Sequence, residues 1–151
     1  MNGQEANMTS RAIAEVLGGR KVLGRSIKTL KELAELIRSG LPAGSLIVLG
    51  EKLELKNAAL SEKLGIPQRT LTRRLSLHSR LTAAESDRTV RLARVYATAV
   101  DMIGNADKAA QWLRTPNRAL GGGVPMDQLD TDLGVKEVES ILGRIAYGVY
   151  S

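Results

Sequence analysis

Leu60-Ser61-Glu62-Lys63-Leu64-Gly65-Ile66-Pro67-Gln68-Arg69-Thr70-Leu71-Thr72-Arg73-Arg74-Leu75-Ser76 is the stretch that decides the fold. Leu60, Leu64, Leu71 and Leu75 recur at helical spacing, and Gly65-Ile66-Pro67 interrupts them because proline removes a donor and crowds a helix interior. Asn57 is placed to cap a helix over 58–64, and a second helix is expected over 68–76. Helix, glycine-containing turn, helix is the layout of a helix-turn-helix. Glycine suits the turn because a positive φ costs a residue bearing a β-carbon about 1 kcal/mol or more.

The polar residues left on the second helix define a candidate DNA face. In such motifs that helix enters the major groove with its first residues at the base edges. Gln68 matches adenine and Arg69 or Arg73 guanine in bidentate geometry, while Thr70, Thr72, Arg74 and Arg80 suit phosphates. The bland alternative is a helix pair whose arginines merely solvate a surface.

Charge favours the first reading. Between Pro67 and Arg94 seven arginines face Glu85 and Asp87, a local +5 in a chain of net +6. The 66 residues before carry ten basic against seven acidic side chains, and the 57 after Arg94 carry five against seven. A central basic stretch is the footprint of a phosphate-binding face, whereas the near-neutral last third serves some other purpose.

With 151 residues the chain makes one domain or two small ones. It has no phenylalanine and only 3% aromatic residues, so Leu, Ile, Val and Ala must fill the core, which favours helices on helices. The expected fold is all-α: a tail with a short helix over 1–25, a helix-turn-helix domain over 26–81, and a long helix leading into a small helical domain over 82–151. The absence of cysteine excludes a disulfide framework and thiolate metal sites. No apolar run approaches the roughly 20 residues of a membrane helix, and the first eight residues lack the apolar core of a secretion signal, so the expected compartment is the cytoplasm with no membrane partner.

Along the chain, residues before Thr9 are expected to be disordered, and Ser10 to cap a short helix ending at Gly18-Gly19. A basic connector follows over 20–25. Leu30, Leu33, Ala34 and Ile37 mark a helix over 26–39, closed by Gly40 and Pro42. Leu46-Ile47-Val48-Leu49 suits helix or strand, and helix is preferred because no second strand exists to pair with it. Thr82-Ala83-Ala84-Glu85 is a capping box opening a long helix with Leu92, Tyr96, Ala99 and Ile103 inward. Gly104-Asn105 ends it, and Asn105 is placed to cap the helix that carries Trp112. Pro125 suits the first position of a short helix through Leu129. A last helix presents Val135, Val138, Leu142 and Ile145 and stops at Gly148.

Catalysis has no support. His78 is a lone imidazole, expected to be exposed or to meet a phosphate rather than bind metal. Gly121-Gly122-Gly123 lacks the Lys-Ser/Thr of a nucleotide-binding loop and is a turn. No cofactor is expected.

The end of the chain has a pattern of its own: Trp112-Leu113, Pro116-Asn117, Leu120-Gly121-Gly122, Pro125, and Arg144-Ile145-Ala146-Tyr147-Gly148 before Val149-Tyr150-Ser151. An apolar, aromatic end needs burial, on its own domain or in a partner. Trp112 has the same two readings, core or contact. These elements, in this order over the last third of the chain, resemble the C-terminal toxin-binding domain of the Xre/MbcA/ParS antitoxins. Gly123, a third glycine in the turn, is an addition that would loosen it. The stretch before is similar to theirs too, in Leu64-Gly65-Ile66-Pro67, Thr70-Leu71, Arg73-Arg74 and Glu85-Ser86-Asp87-Arg88.

The resemblance implies an antitoxin of a type II toxin–antitoxin pair, without enzymatic activity. Its partner would be a RES-type toxin that consumes NAD, with the NAD pocket occluded by contacts from Trp112, Pro116, Asn117, Leu120, Arg144, Tyr147, Gly148, Val149, Tyr150 and Ser151. It also implies repression of its own operon, as a homodimer on palindromic operator DNA. The competing reading is a stand-alone dimeric repressor whose last third only oligomerises. A weaker one is an enzyme subunit without catalytic residues.

Overall fold

The computed structural model describes residues 2–148. Val149, Tyr150 and Ser151, three of the expected contact residues, lie outside them. The chain divides into two compact units, one through Arg94 and one from Val95 onward. Among the described residues every regular element is helical, as expected for an all-α protein.

The first unit begins with α1 (Gly3–Val16). The disordered start expected before Thr9 is instead part of this helix. The Asn2 side chain accepts from the Glu5 amide and Glu5 reaches back to the Asn2 amide, a capping box that satisfies donors the helix leaves orphaned. Ser10 is no cap: it is buried, and its hydroxyl donates to the Ala6 carbonyl at 2.8 Å. Gly18 and Gly19 end α1 as expected, and α2 (Gly19–Leu23) occupies most of the expected connector. Thr29 caps α3 (Leu30–Ser39) by accepting from the Glu32 amide at 3.1 Å. The Lys28 amide, above all, holds the Glu32 carboxyl below the usual carboxylate range. Leu33 and Leu36 face inward, whereas Leu30, expected in the stripe, is exposed.

In α4 (Gly44–Leu53), Leu46, Leu49 and Leu53 are fully buried, so the helical period is the one that fills the core. Each buried leucine stabilises by about 1.5–3 kcal/mol relative to exposure. α5 (Asn57–Leu64) and α6 (Gln68–Ser76) follow. Asn57 is the first residue of α5 rather than its cap, a position that Lys56 takes without a side-chain bond. Gly65 has φ 63°, and Ile66 is buried, its amide donating to the Ser61 carbonyl at 3.1 Å and its carbonyl accepting from the Ser61 hydroxyl.

Thr82 and Glu85 form the expected capping box at the start of α7 (Ala83–Ile103), with bonds of 2.8 and 3.1 Å. A short antiparallel contact ties the segment after α3 to that after α6. The Leu81 amide donates to the Leu41 carbonyl at 2.8 Å and the Ala43 amide to the Ser79 carbonyl at 3.0 Å. Gly40 is required there: its φ is 96°, and a β-carbon would lie 2.2 Å from the Leu81 carbonyl oxygen.

In the second unit Val95, Tyr96 and Ala99 of α7 are buried. Asn105 caps α8 (Ala106–Arg114), accepting from the Lys108 amide at 2.9 Å. Two 3-10 turns, Arg118–Leu120 and Pro125–Gln128, lead to α9 (Asp132–Ala146), which Thr131 caps and Gly148, at φ 68°, terminates. Ala109, Ala110, Leu113, Met126, Val135, Val138, Ile141 and Leu142 are buried, while Ile145, expected inward, is half-buried.

Candidate functional site

With 3.6 residues per turn, Gln68, Thr72, Ser76, Arg69 and Arg73 fall within an arc of about 140° on α6. All five are exposed. Leu71, buried, and Leu75, Thr70 and Arg74, half-buried, fill the opposite arc. The helix thus offers one uninterrupted polar face carrying two guanidinium groups, each with five donors in a planar fork.

Thr70 and Arg74, expected to touch phosphate, lie off that face. Arg74 Nε sits 3.0 Å from Glu85 Oε1, and its terminal nitrogen donates to Oε2 at 3.3 Å. The same Oε1 accepts the Thr82 amide, so one carboxylate both caps α7 and holds α6. Arg80 donates to the Gly40 carbonyl at 2.7 Å. Arg74 is thereby held by a protein carboxylate, which corrects the expectation that it faces a nucleic-acid backbone, whereas Arg80 stays exposed and gives one nitrogen to Gly40.

Two further side chains, from the Glu85-Ser86-Asp87-Arg88 stretch expected to be structural, hold the motif. Arg88 Nε donates at 2.6 Å to the Leu64 carbonyl, an acceptor left over at the end of α5, and the Leu41 amide donates to the buried Ser86 hydroxyl at 2.9 Å. Their partners lie 24 and 45 residues away in sequence, so no local pattern announces them. Asp87 and Arg91 pair at 3.3 Å as their spacing predicts. His78 is exposed, in a left-handed conformation at φ 52°.

The expected contact residues of the second unit fall in two groups. Trp112, Pro116, Asn117 and Leu120 stand at the end of α8 and in the loop after it. Pro116 is exposed, whereas Trp112 and Leu120 are half-buried. Asn117 is only 7% exposed. Its side-chain oxygen accepts from the Ala119 amide at 2.9 Å, its amide donates to Gly123 and its carbonyl accepts from Gly122, both at 2.9 Å. Asn117 therefore braces the loop rather than facing outward from it. Gly123, expected to loosen the turn, instead closes it, and its own amide donates to the Leu120 carbonyl at 3.1 Å. The second group, Arg144, Tyr147 and Gly148, ends α9 and is exposed, Tyr147 at 81%.

Two family models match this chain. Residues 32–94 match the antitoxin Xre-like helix-turn-helix domain, and residues 98–148 match the antitoxin Xre/MbcA/ParS C-terminal toxin-binding domain. The chain belongs to the Xre/MbcA/ParS antitoxin family. Within that family it is 40% identical over 98 residues to an antitoxin Xre of Yersinia enterocolitica, covering 64% of this chain and 66% of the relative. It is 44% identical over 88 residues to an antitoxin Xre of Photorhabdus laumondii, covering 58% and 60%. A Prs ADP-ribosylating antitoxin of a Sphingobium species is 26% identical over 125 residues, 77% of this chain and 79% of that protein. The chain thus spans just under two thirds, at most, of the two Xre relatives' length. The family match places the polar face of α6 inside the helix-turn-helix domain and both C-terminal groups inside the toxin-binding domain, and neither description names catalysis.

Among the described residues no His, Cys, Asp and Glu cluster is arranged to hold a metal ion, and no helix is long and apolar enough to cross a membrane.

Proposed function

We propose that this chain is the antitoxin of a type II toxin–antitoxin pair, acting in the cytoplasm on two macromolecules. The observation that carries the proposal is the presence in one chain of both matched domains. The second unit binds a RES-type toxin and occludes its NAD pocket, so inhibition is steric and needs no chemistry here. Pro116, Leu120, Trp112, Arg144 and Tyr147 supply contact surface, the tyrosine as a large anchor with few rotors to freeze. Tyr150 and Ser151 would enter the pocket.

The face of α6 binds the promoter of its own operon, with Gln68, Arg69 and Arg73 at base edges and Thr72 beside them. A homodimer presents two such helices about one DNA turn apart, matching a palindrome.

Co-expression with the RES-type gene beside it tests the first half. A stable complex that restores cellular NAD is the expected result. A chain that binds its promoter but neither co-purifies with that toxin nor spares NAD would instead be a stand-alone repressor.

A further inference from the structure

Residues 1–31 lie outside both matched domains. They carry six basic side chains against Glu5 and Glu15, a surplus of +4 in a chain of net +6. Three of those cations frame one cavity of about 340 Å³ between α1, α2 and the segment before α3: Arg11, Arg20 and Lys28. The Ser26 hydroxyl belongs to the same lining, and buried Ala14 and Ile27 give it an apolar floor.

These cations, like Lys21 and Lys31 beside them, are uncommitted. Arg25 is taken up by Glu32 and Glu35, at 3.6 and 3.9 Å. Among the described residues Arg11, Arg20 and Lys28 enter no ion pair. Glu15 is the one acid lining the cavity, and its charge is shared with Lys52. The Lys52 ammonium donates to the Glu15 carbonyl at 2.9 Å, and the Glu15 carboxylate opposes the effect of burial, which lowers the Lys52 pKa. The cavity sets three cations against that one carboxylate, so a positive surplus remains, and the serine hydroxyl adds a donor.

The volume lies at the lower end of the about 300–1,000 Å³ usual for small-ligand sites. Guanidinium and ammonium groups lining one concave surface are matched by the oxygens of a phosphate group, through charge-assisted hydrogen bonds. We propose that the cavity framed by Arg11, Arg20 and Lys28 binds a phosphate group, carried either by a small phosphorylated compound or by a nucleic-acid backbone.

The test is a titration of the full chain, labelled for amide NMR, with inorganic phosphate against chloride at constant ionic strength. Saturable shifts at Gly19, Ser26 and Ile27 are expected. The combined Arg11→Gln, Arg20→Gln, Lys28→Gln variant should weaken them at least tenfold. Glu15→Gln should tighten phosphate binding several-fold, a gain that damage to the fold cannot mimic. Unsaturable shifts, shifts unchanged in the triple variant, or weaker binding by Glu15→Gln overturn the proposal.

A 20-base-pair duplex of arbitrary sequence separates the two sources. If the phosphate belongs to DNA, the triple variant lowers the slope of log affinity against log salt by about 0.9 per phosphate lost. If phosphate binding is lost with that slope unchanged, the ligand is a free phosphorylated compound. A wild-type chain that ignores the duplex counts against the helix-turn-helix function alone, since the phosphate titration still decides the cavity.

Discussion

Arg74 Nε lies 3.0 Å from Glu85 Oε1, and through that pair the second helix of the helix-turn-helix is fastened to the first turn of the long helix after it. The two side chains are only 20% and 10% exposed, so solvent screens the pair little and removing one partner strands a desolvated charge. Arg74→Ala should cost about 2 kcal/mol, in the range for hydrogen bonds to charged groups, read as a lower midpoint in urea unfolding. Glu85→Ala should cost more, because the cap on the Thr82 amide goes with it. An unchanged midpoint in either variant would return Arg74 to the list of available phosphate contacts.

Arg69 and Arg73 should behave in the opposite way. Both are exposed on α6, so the Arg69→Ala, Arg73→Ala variant should unfold at the wild-type midpoint. Its affinity for promoter DNA should fall at least about 30-fold, equivalent to about 2 kcal/mol and within what two base contacts supply. Fluorescence anisotropy on the promoter duplex measures the loss. Equal losses of stability and affinity would contradict the division between bound and free arginines.

Asn117 separates bracing from contact. Asn117→Asp keeps the oxygen that accepts the Ala119 amide, whereas Asn117→Ala removes it at a cost of about 1 kcal/mol. If Asn117 only holds the loop, the Asp variant should neutralise the toxin like wild type and the Ala variant less well. A defect in the Asp variant as large as in the Ala variant would mean the side-chain amide itself meets the partner.

Gly134 admits no side chain. A β-carbon there would sit 1.8 Å from the Gln128 carbonyl oxygen, a backbone atom fixed by the turn before α9. Gly134→Ala should approach the upper end of the about 1–3 kcal/mol that overpacking costs. Proteolysis of this variant should begin beyond Val95. Protection equal to wild type would mean the turn can move aside.

Removing Tyr147 to Ser151 takes away the exposed Tyr147 and Gly148 that follow α9 and the three residues outside the described part. The truncated chain should bind promoter DNA with wild-type affinity and fail to restore growth when co-expressed with the toxin. Full neutralisation by this variant would move the inhibitory contact to the loop around Pro116 and Leu120.

Much of the fold was legible because its signals are local. The turn at Gly65-Ile66-Pro67, the Thr82/Glu85 box, the Asn105 cap and the stop at Gly148 each act within a few residues, where side-chain chemistry meets its own backbone. Asn2 and Glu5 carry the same kind of signal, but it was missed: the residues before Thr9 were expected to be disordered, and the box these two form opens α1. The burial of Leu46, Leu49 and Leu53 also followed from spacing once a paired strand was excluded.

The sequence by itself therefore determined that this is a helical protein with a helix-turn-helix, a basic centre and a peculiar final third. Only the tertiary structure decided which of seven like-charged arginines remain available to a partner. Arg74, Arg80 and Arg88 find acceptors 11, 40 and 24 residues away, while Arg69 and Arg73 stay on an open face. An arginine's availability depends on the carbonyl or carboxylate that folding carries to it, and a separation of that length leaves no trace in local pattern.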